Sequence, residues 1–425
     1  MKNKTLFYFN VLIAIAFQLQ SINAQQLEKA TPEQVGMDSA RLNNLTQVLQ
    51  SYVDNHQMSG AVALVARKNK IVYFNAVGES DIDKKRAMST DAIFRIASQS
   101  KAIVSVGIMI LQERGQLLIS DPVGKYIPEF QNTNVAVPQE GGGYILEKAN
   151  RPITIRDLLT HTAGIGYGQG IAADLWKEAE IQGWYFAHRN EPVLATVKRM
   201  GSLPFDAQPG EKFVYGYNTD ILGAVIEVVS GVSLAQFLQE NIFNLLGMSD
   251  THFYLPKNKV DRLATVYSSV NEGIEKAPTT GTMVSQGAYV EGPRMSFSGG
   301  AGLLSTAMDY ARFLQMMLNN GVYNGQRILS RKSVELMTTD HLEKAKYEWT
   351  NGTGFGLGFS IAKDLGIRGV LGTIGEFGWG GAYHSTYWVD PKEELVVVYF
   401  TQLIPATNID DHSKLRTQIY QAIED

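Results

Sequence analysis

The sequence predicts an α/β plus all-α fold, an antiparallel sheet flanked by helices with a helical subdomain inserted into it. Three observations carry this prediction: strand-like hairpins near both ends of the chain, helical periodicity through the middle, and a terminal segment placed to pack back on the sheet as a helix. With 425 residues, 44% hydrophobic and 19% charged, the chain has material for a large core.

Taken in order, the chain begins Met1-Lys2-Asn3-Lys4, continues with an apolar run from about Leu6 to Phe17, and reaches Ile22-Asn23-Ala24 through polar residues. This is a signal-peptide pattern, so residues 1–24 are expected to be removed on export and 25–425 to form one domain in the periplasm or outside the cell. The apolar run is shorter than the ~20 residues of a spanning helix, so no stable membrane anchor is expected. The net charge of −4 becomes −6 once Lys2 and Lys4 leave with the leader, and no basic excess points to nucleic acid or anionic lipid. Cysteine is absent, which excludes disulfides, thiol catalysis, thiolate metal sites and a cysteine-linked lipid.

The first hairpin is read from Ala61 to Ala66 and Ile71 to Val77, β-branched apolar runs separated by Arg67-Lys68-Asn69-Lys70. Helices follow over Ala102 to Arg114, stopped by Gly115, over Ile221 to Val229, stopped by Gly231, and over Thr306 to Leu318, stopped near Gly321. Tyr383 to Val389 and Leu395 to Thr401 flank Asp390-Pro391-Lys392-Glu393-Glu394 as a second hairpin, and Ser413 to Ile423 reads as the closing helix. The stretches Gln131 to Asn150 and Gly166 to Gln182 read as loops suited to border a cleft. No repeat, low-complexity tract or Pro/Gly-rich linker interrupts the chain after the leader, which favours one unit.

Ser-x-x-Lys occurs at Ser98-Gln99-Ser100-Lys101 and at Ser360-Ile361-Ala362-Lys363. On a helix, residues three apart share a face and the amine reaches the hydroxyl; on a strand they point to opposite faces. The first match opens a helical run and the second follows a strand-like alternation, so Ser98 is retained as candidate nucleophile. A serine hydroxyl is weakly nucleophilic, and an amine held out of water among apolar groups such as Ile93, Phe94, Ile96, Ile103 and Val104 can take up its proton. Backbone N–H groups at a helix start also favour a developing oxyanion. Read alone, such a segment is more commonly an N-cap serine followed by a solvent-facing lysine.

Two further segments add to it. Pro209-Gly210-Glu211-Lys212-Phe213-Val214-Tyr215-Gly216 is a turn that leads to a tyrosine ahead of a helix beginning near Asp220, and a tyrosine there can hold or relay a proton, although most of the 19 tyrosines will be packing residues. Gly378-Trp379-Gly380-Gly381-Ala382 opens the late hairpin, where glycines let a substrate lie against the strand and the Ala382 N–H can face an oxyanion. Read alone, the same glycines fit a glycine-rich turn entering a hairpin equally well.

Together with Leu158-Leu159-Thr160-His161-Thr162-Ala163-Gly164 and Gly299-Gly300-Ala301-Gly302-Leu303-Leu304-Ser305-Thr306, these segments fall in the order seen in class C β-lactamases, low-molecular-weight penicillin-binding proteins and family VIII carboxylesterases. The chain resembles this superfamily over nearly all of its mature length. The resemblance implies a sheet beside a helical subdomain with the site in the groove between them, Ser98 as nucleophile, Lys101 and Tyr215 sharing the proton transfers, and the N–H groups of Ser98 and Ala382 as oxyanion hole. It implies a small-molecule ester or acyl substrate and neither cofactor nor metal; His161 matches a structural turn of the family and is not assigned to the site.

Two departures bear on substrate. Penicillin-recognising members usually carry Tyr-x-Asn and Lys-Thr-Gly, whereas here Tyr215-Gly216-Tyr217 lacks the asparagine, Asn218 stands one place later, and Trp379 takes the place of the lysine before Gly380 and Gly381. A neutral indole offers a carboxylate no charge attraction, so the esterase branch is favoured over the antibiotic-degrading one unless Lys212 or Arg294 supplies a cation. A D-amino-acid peptidase on the same scaffold and a non-catalytic protein that kept the fold are the alternatives. No Gly-x-Ser-x-Gly elbow or His-Glu-x-x-His motif is present to support another hydrolase class.

Overall fold

The computed structural model describes residues 26–281, 283–342, 345–347 and 351–425, so the expected leader lies outside the described residues. Nine strands make the main sheet: β1 (Glu28–Lys29), β2 (Gly60–Arg67), β3 (Lys70–Asp81), β4 (Arg86–Ala87), β5 (Thr353–Phe355), β6 (Ser360–Ala362), β7 (Phe377–Gly381), β8 (Ser385–Asp390) and β9 (Leu395–Phe400). They lie in the order β1, β3, β2, β9, β8, β7, β6, β5, with β4 beside β3, and apart from the short β1–β3 contact the pairings are antiparallel. The two ends of the chain meet where β2 pairs with β9, from Val62 opposite Phe400 to Arg67 opposite Leu395, as the sequence predicts.

The first hairpin turns on Lys68 and Asn69, both in the left-handed region at φ 50° and 62°. Positive φ at both central residues matches the twist of the flanking strands and sets Arg67 opposite Lys70. Side chains then alternate: Val62 and Leu64 with Val396 and Val398 enter one core, Ala63 and Val65 with Val397 and Tyr399 enter another. The second core is closed by α1 (Ser39–Asp54), through Leu42, Leu45 and Leu49, and by the last helix through Leu415 and Ile419.

The larger core receives α2 (Ser100–Glu113), the short α3 (Ile155–Leu159), α4 (Asn218–Ser230) and α5 (Ala307–Leu318); the closing helix is α6 (Asp411–Tyr420). Gly115 and Gly231 follow α2 and α4 at φ 68° and 74°, the left-handed conformation that ends a helix. Thr306 caps α5 by accepting from the Asp309 N–H. α2 starts at Ser100 and is preceded by a 3₁₀ turn, Ala97–Gln99; α4 starts at Asn218, two residues before the expected Asp220. The stretch 131–150, expected as loop, instead forms a hairpin of Asn134–Pro138 and Tyr144–Lys148, and 166–182 contains the helix Ala173–Glu178. Among the described residues no single helix is long and apolar enough to cross a membrane.

Strand β7, which borders the site, is tied down at its start by Glu376. This buried carboxylate accepts from Arg416 at 2.8 Å, from Arg368 at 3.0 Å and from the Tyr420 hydroxyl at 3.0 Å. Burial alone would raise its carboxyl, but the hydrogen bonds and charges of Arg416 and Arg368 outweigh that and hold it below the ordinary 4.5. The stabilisation is therefore present above the unfolded-state value and is lost as pH falls through the lower folded-state value. Glu376→Gln is expected to cost about 3 kcal/mol, because two guanidinium groups lose their buried counter-charge; urea unfolding at neutral pH and at pH 4 checks this, with a smaller difference between parent and variant at the lower pH.

Candidate active site

The 3₁₀ turn that precedes α2 presents Ser98 at the wall of the groove, between Ala97, which is buried and left-handed at φ 43°, and Gln99. One helical turn on, Lys101 is 2% exposed, and its Nζ donates to Ser98 Oγ at 3.3 Å, Tyr167 OH at 3.1 Å and the Gly300 carbonyl at 2.7 Å. The three-residue spacing thus delivers the amine to the hydroxyl. At the other Ser-x-x-Lys, Ser360 donates to the Gly378 carbonyl inside the sheet while Lys363 points away to Asp340 at 2.6 Å. The two sites separate as helix and strand geometry predict.

Gly300 is held by a buried acid. Asp220, in the first turn of α4, accepts from Ser298 Oγ at 2.6 Å and from the Gly300 N–H at 3.1 Å, and a Cβ on Gly300 would lie 2.4 Å from its carboxylate. Burial raises the Asp220 carboxyl above its ordinary value, with the Ser298 hydrogen bond and the charge of Lys101 opposing that rise. The Gly299–Gly302 segment therefore serves to aim a carbonyl at Lys101. Tyr167 completes the surround: burial first, then Tyr215 and Asp220, raises its hydroxyl well above the ordinary range and keeps it protonated.

Tyr215 arrives from the opposite side. Its ring centroid is 4.6 Å from Lys101 Nζ, and its hydroxyl accepts from Trp379 Nε1 at 2.9 Å. Beneath it lies His161, fully buried, its ring 4.7 Å from that of Tyr215 and its Nδ1 2.9 Å from the Asn218 amide nitrogen. Burial, then the charge of Lys101, pushes the imidazole well below its ordinary value, so His161 is a neutral packing support, as its motif implies. Asn218 also donates to the carbonyls of Ile165 and Val214. With its amide nitrogen engaged among buried groups, it pins the start of α4 and does not replace the asparagine missing after Tyr215.

The third wall is β7 and the turn after it. A Cβ on Gly381 would lie 2.6 Å from the Ile96 carbonyl, so the glycine is what allows the strand to approach the Ser98 turn. Ser98, Tyr215, Trp379, Gly380, Gly381 and Ala382 line one cavity of about 570 Å³ together with Tyr167, Trp184, His384, Ser385, Thr386, Ala406 and His412. Every predicted site residue except Lys101 lines it, and Lys101 forms the floor beneath Ser98. Apart from Lys101 beneath Ser98, no lysine or arginine stands among the described residues that line it. Arg294 is turned to the Leu255 and Val290 carbonyls, and Lys212 lines a neighbouring cavity of about 640 Å³ that shares only Tyr215 with this one. Neither side chain thus brings a positive charge to Ser98.

Sequence reasoning missed Tyr167, Trp184, Asp220, Ser298, His384 and His412. Tyr167 lies in a stretch expected to border the cleft, but nothing local distinguishes it from the other tyrosines.

A serine on a helix-opening turn, hydrogen-bonded to a buried lysine in the groove between an antiparallel sheet and a helical region, is the arrangement of a serine hydrolase. Residues 45–417 match the family described as Beta-lactamase, and the chain belongs to that family. It is 33% identical over 374 residues to an uncharacterized protein of Mycobacterium tuberculosis, covering 85% of this chain and 90% of that one. It is 29% identical over 389 residues to esterase EstB of Burkholderia gladioli, covering 87% and 93%. Among solved structures it superposes on EstCE1, described as a hydrolase with promiscuous acyltransferase activity, with a TM-score of 0.76 at 26% identity, covering 90% of this chain and 99% of that one.

Proposed function

We propose that this serine hydrolase is a carboxylesterase acting on small neutral esters. Ser98 Oγ attacks the ester carbonyl and its proton passes to the Lys101–Tyr215 pair; the N–H groups of Ser98 and Ala382 stabilise the oxyanion. Collapse breaks the bond to the alcohol oxygen, which takes the proton as it leaves, and water then releases the acid from Ser98 by the same steps in reverse.

The observation that carries the choice of substrate is the hydrogen bond from Trp379 Nε1 to Tyr215 OH. The position that resembles a lysine site in penicillin-recognising relatives holds an indole whose only donor is already spent. A carboxylate entering beside it sheds water and gains no charge-assisted partner, whereas an uncharged ester loses little. The poorly held carboxylate also leaves its scissile bond badly placed against Ser98. The similarity to EstB and EstCE1 supports the same reading.

The parent is expected to hydrolyse a short-chain p-nitrophenyl ester with a kcat/KM on the order of a hundredfold above that for a cephalosporin reporter or a D-Ala-D-Ala peptide, the scale of one missing charged hydrogen bond. Trp379→Lys should narrow the gap. A parent that prefers either carboxylate-bearing substrate overturns the esterase reading in favour of a β-lactamase or peptidase.

A further inference from the structure

The turn joining β7 to β8 carries a feature the acylation chemistry does not use. His384, two residues after Ala382, is a non-glycine residue at φ 60°, a conformation that persists only where its surroundings impose it. Here they do. The His384 carbonyl accepts from Thr401 Oγ1 at 2.7 Å and from His412 Nε2 at 3.2 Å, while its own Nε2 lies 2.7 Å from Asp411 Oδ1. Asp411 is fully buried and its other oxygen accepts from the Tyr399 hydroxyl at 2.7 Å. The two imidazoles stack with centroids 4.1 Å apart and planes 14° from parallel.

These contacts fix the tautomers. A carboxylate and a carbonyl only accept, so both Nε2 atoms carry the hydrogen, and a neutral His412 ring then keeps a bare Nδ1. Burial first, then the neighbouring His384, holds His412 below its ordinary value and hence neutral at pH 7. Among the described residues neither Nδ1 has a hydrogen-bond partner. His384, Asp411 and His412 bring metal-ligating atoms within 4.8 Å of one another, but the lone pairs of near-parallel stacked rings run side by side and do not converge on one ion. Both histidines line the cavity of Ser98, in which Trp184, Tyr167 and Trp379 supply aromatic surface.

We propose that His412, held in place by the His384 carbonyl and ring, forms a polar subsite of the Ser98 cavity whose Nδ1 accepts a hydrogen bond from a hydroxyl of the substrate, so that the preferred esters are hydroxylated in their acyl or alcohol portion. A bare ring nitrogen calls for a donor, which a carboxylate lacks, and a hydroxyl is a donor that brings no charge to be desolvated. The proposal rests on the esterase reading.

The test compares kcat/KM within two matched pairs: p-nitrophenyl 3-hydroxybutyrate against p-nitrophenyl butyrate for the acyl side, and glyceryl monobutyrate against propyl butyrate for the alcohol side. One pair is expected to favour its hydroxylated member about tenfold, the scale of a well-placed hydrogen bond. That ratio should fall towards one in His412→Phe and in His384→Asn, the latter chosen because asparagine tolerates the left-handed backbone; a thermal melt confirms that each is folded. Ratios near one in both parental pairs, or a preference that survives in a folded variant, overturn the subsite while leaving the esterase standing. Failure of the parent to turn over any of the four esters overturns the esterase reading and the subsite with it.

Discussion

Ser98→Ala is expected to take up no fluorophosphonate label and to lose ester turnover by on the order of ten-thousand-fold or more, the scale seen when a nucleophile is removed and binding alone remains. The expectation is specific to this serine because of what the neighbouring hydroxyls do. Ser100, two residues on, is buried and binds the Leu303 N–H at 3.0 Å, while Ser360 is tied to the Gly378 carbonyl at 2.8 Å. Ser98 alone among these has its Oγ within hydrogen-bond distance of Lys101 and lies at the cavity wall. Intact-mass measurement after incubation with the probe gives the direct readout, one adduct on the parent and none on the variant. An adduct that persists in Ser98→Ala would move the nucleophile elsewhere and dissolve the mechanism proposed for the site.

What could be read in the sequence was whatever depends on local periodicity. The hairpin at Lys68-Asn69, the helix stops at Gly115 and Gly231, and the choice of Ser98 over Ser360 all follow from the spacing of residues near one another in the chain. Contacts made across long stretches were not legible. Tyr167 reaches Lys101 from 66 positions away and Ser298 reaches Asp220 from 78, through pairings that only the packed α2, α4 and α5 region brings together. The hairpin at 134–148 escaped because its strands are short, its second strand is largely exposed, and Gly141, Gly142 and Gly143 between them read as loop. Asp411 lies ahead of the closing helix expected from Ser413, and only the fold sets it behind His384 and gives the Ser98 cavity an imidazole wall.

Lys101→Ala and Tyr215→Phe are each expected to lower kcat by about a hundredfold or more, the usual loss when a proton-transfer group is removed. The two substitutions differ in what else they disturb. Removing the Lys101 amine leaves the Gly300 carbonyl and the Tyr167 hydroxyl without their buried donor, at a cost of about 1–3 kcal/mol in stability, so its effect must be read at a temperature where the variant is folded. Tyr215→Phe is cleaner: the ring keeps its packing against His161 at 4.7 Å and Trp379 at 5.4 Å, and only the hydroxyl that accepts from Trp379 Nε1 is lost. If the pair acts as one relay, the double variant should be little slower than the worse single one, because a broken relay is not broken further by losing its second member. Single-turnover rates of acylation, with unfolding midpoints measured alongside, decide the matter. A folded Tyr215→Phe protein that acylates at the parental rate removes the tyrosine from the chemistry and leaves Lys101 to carry the proton alone.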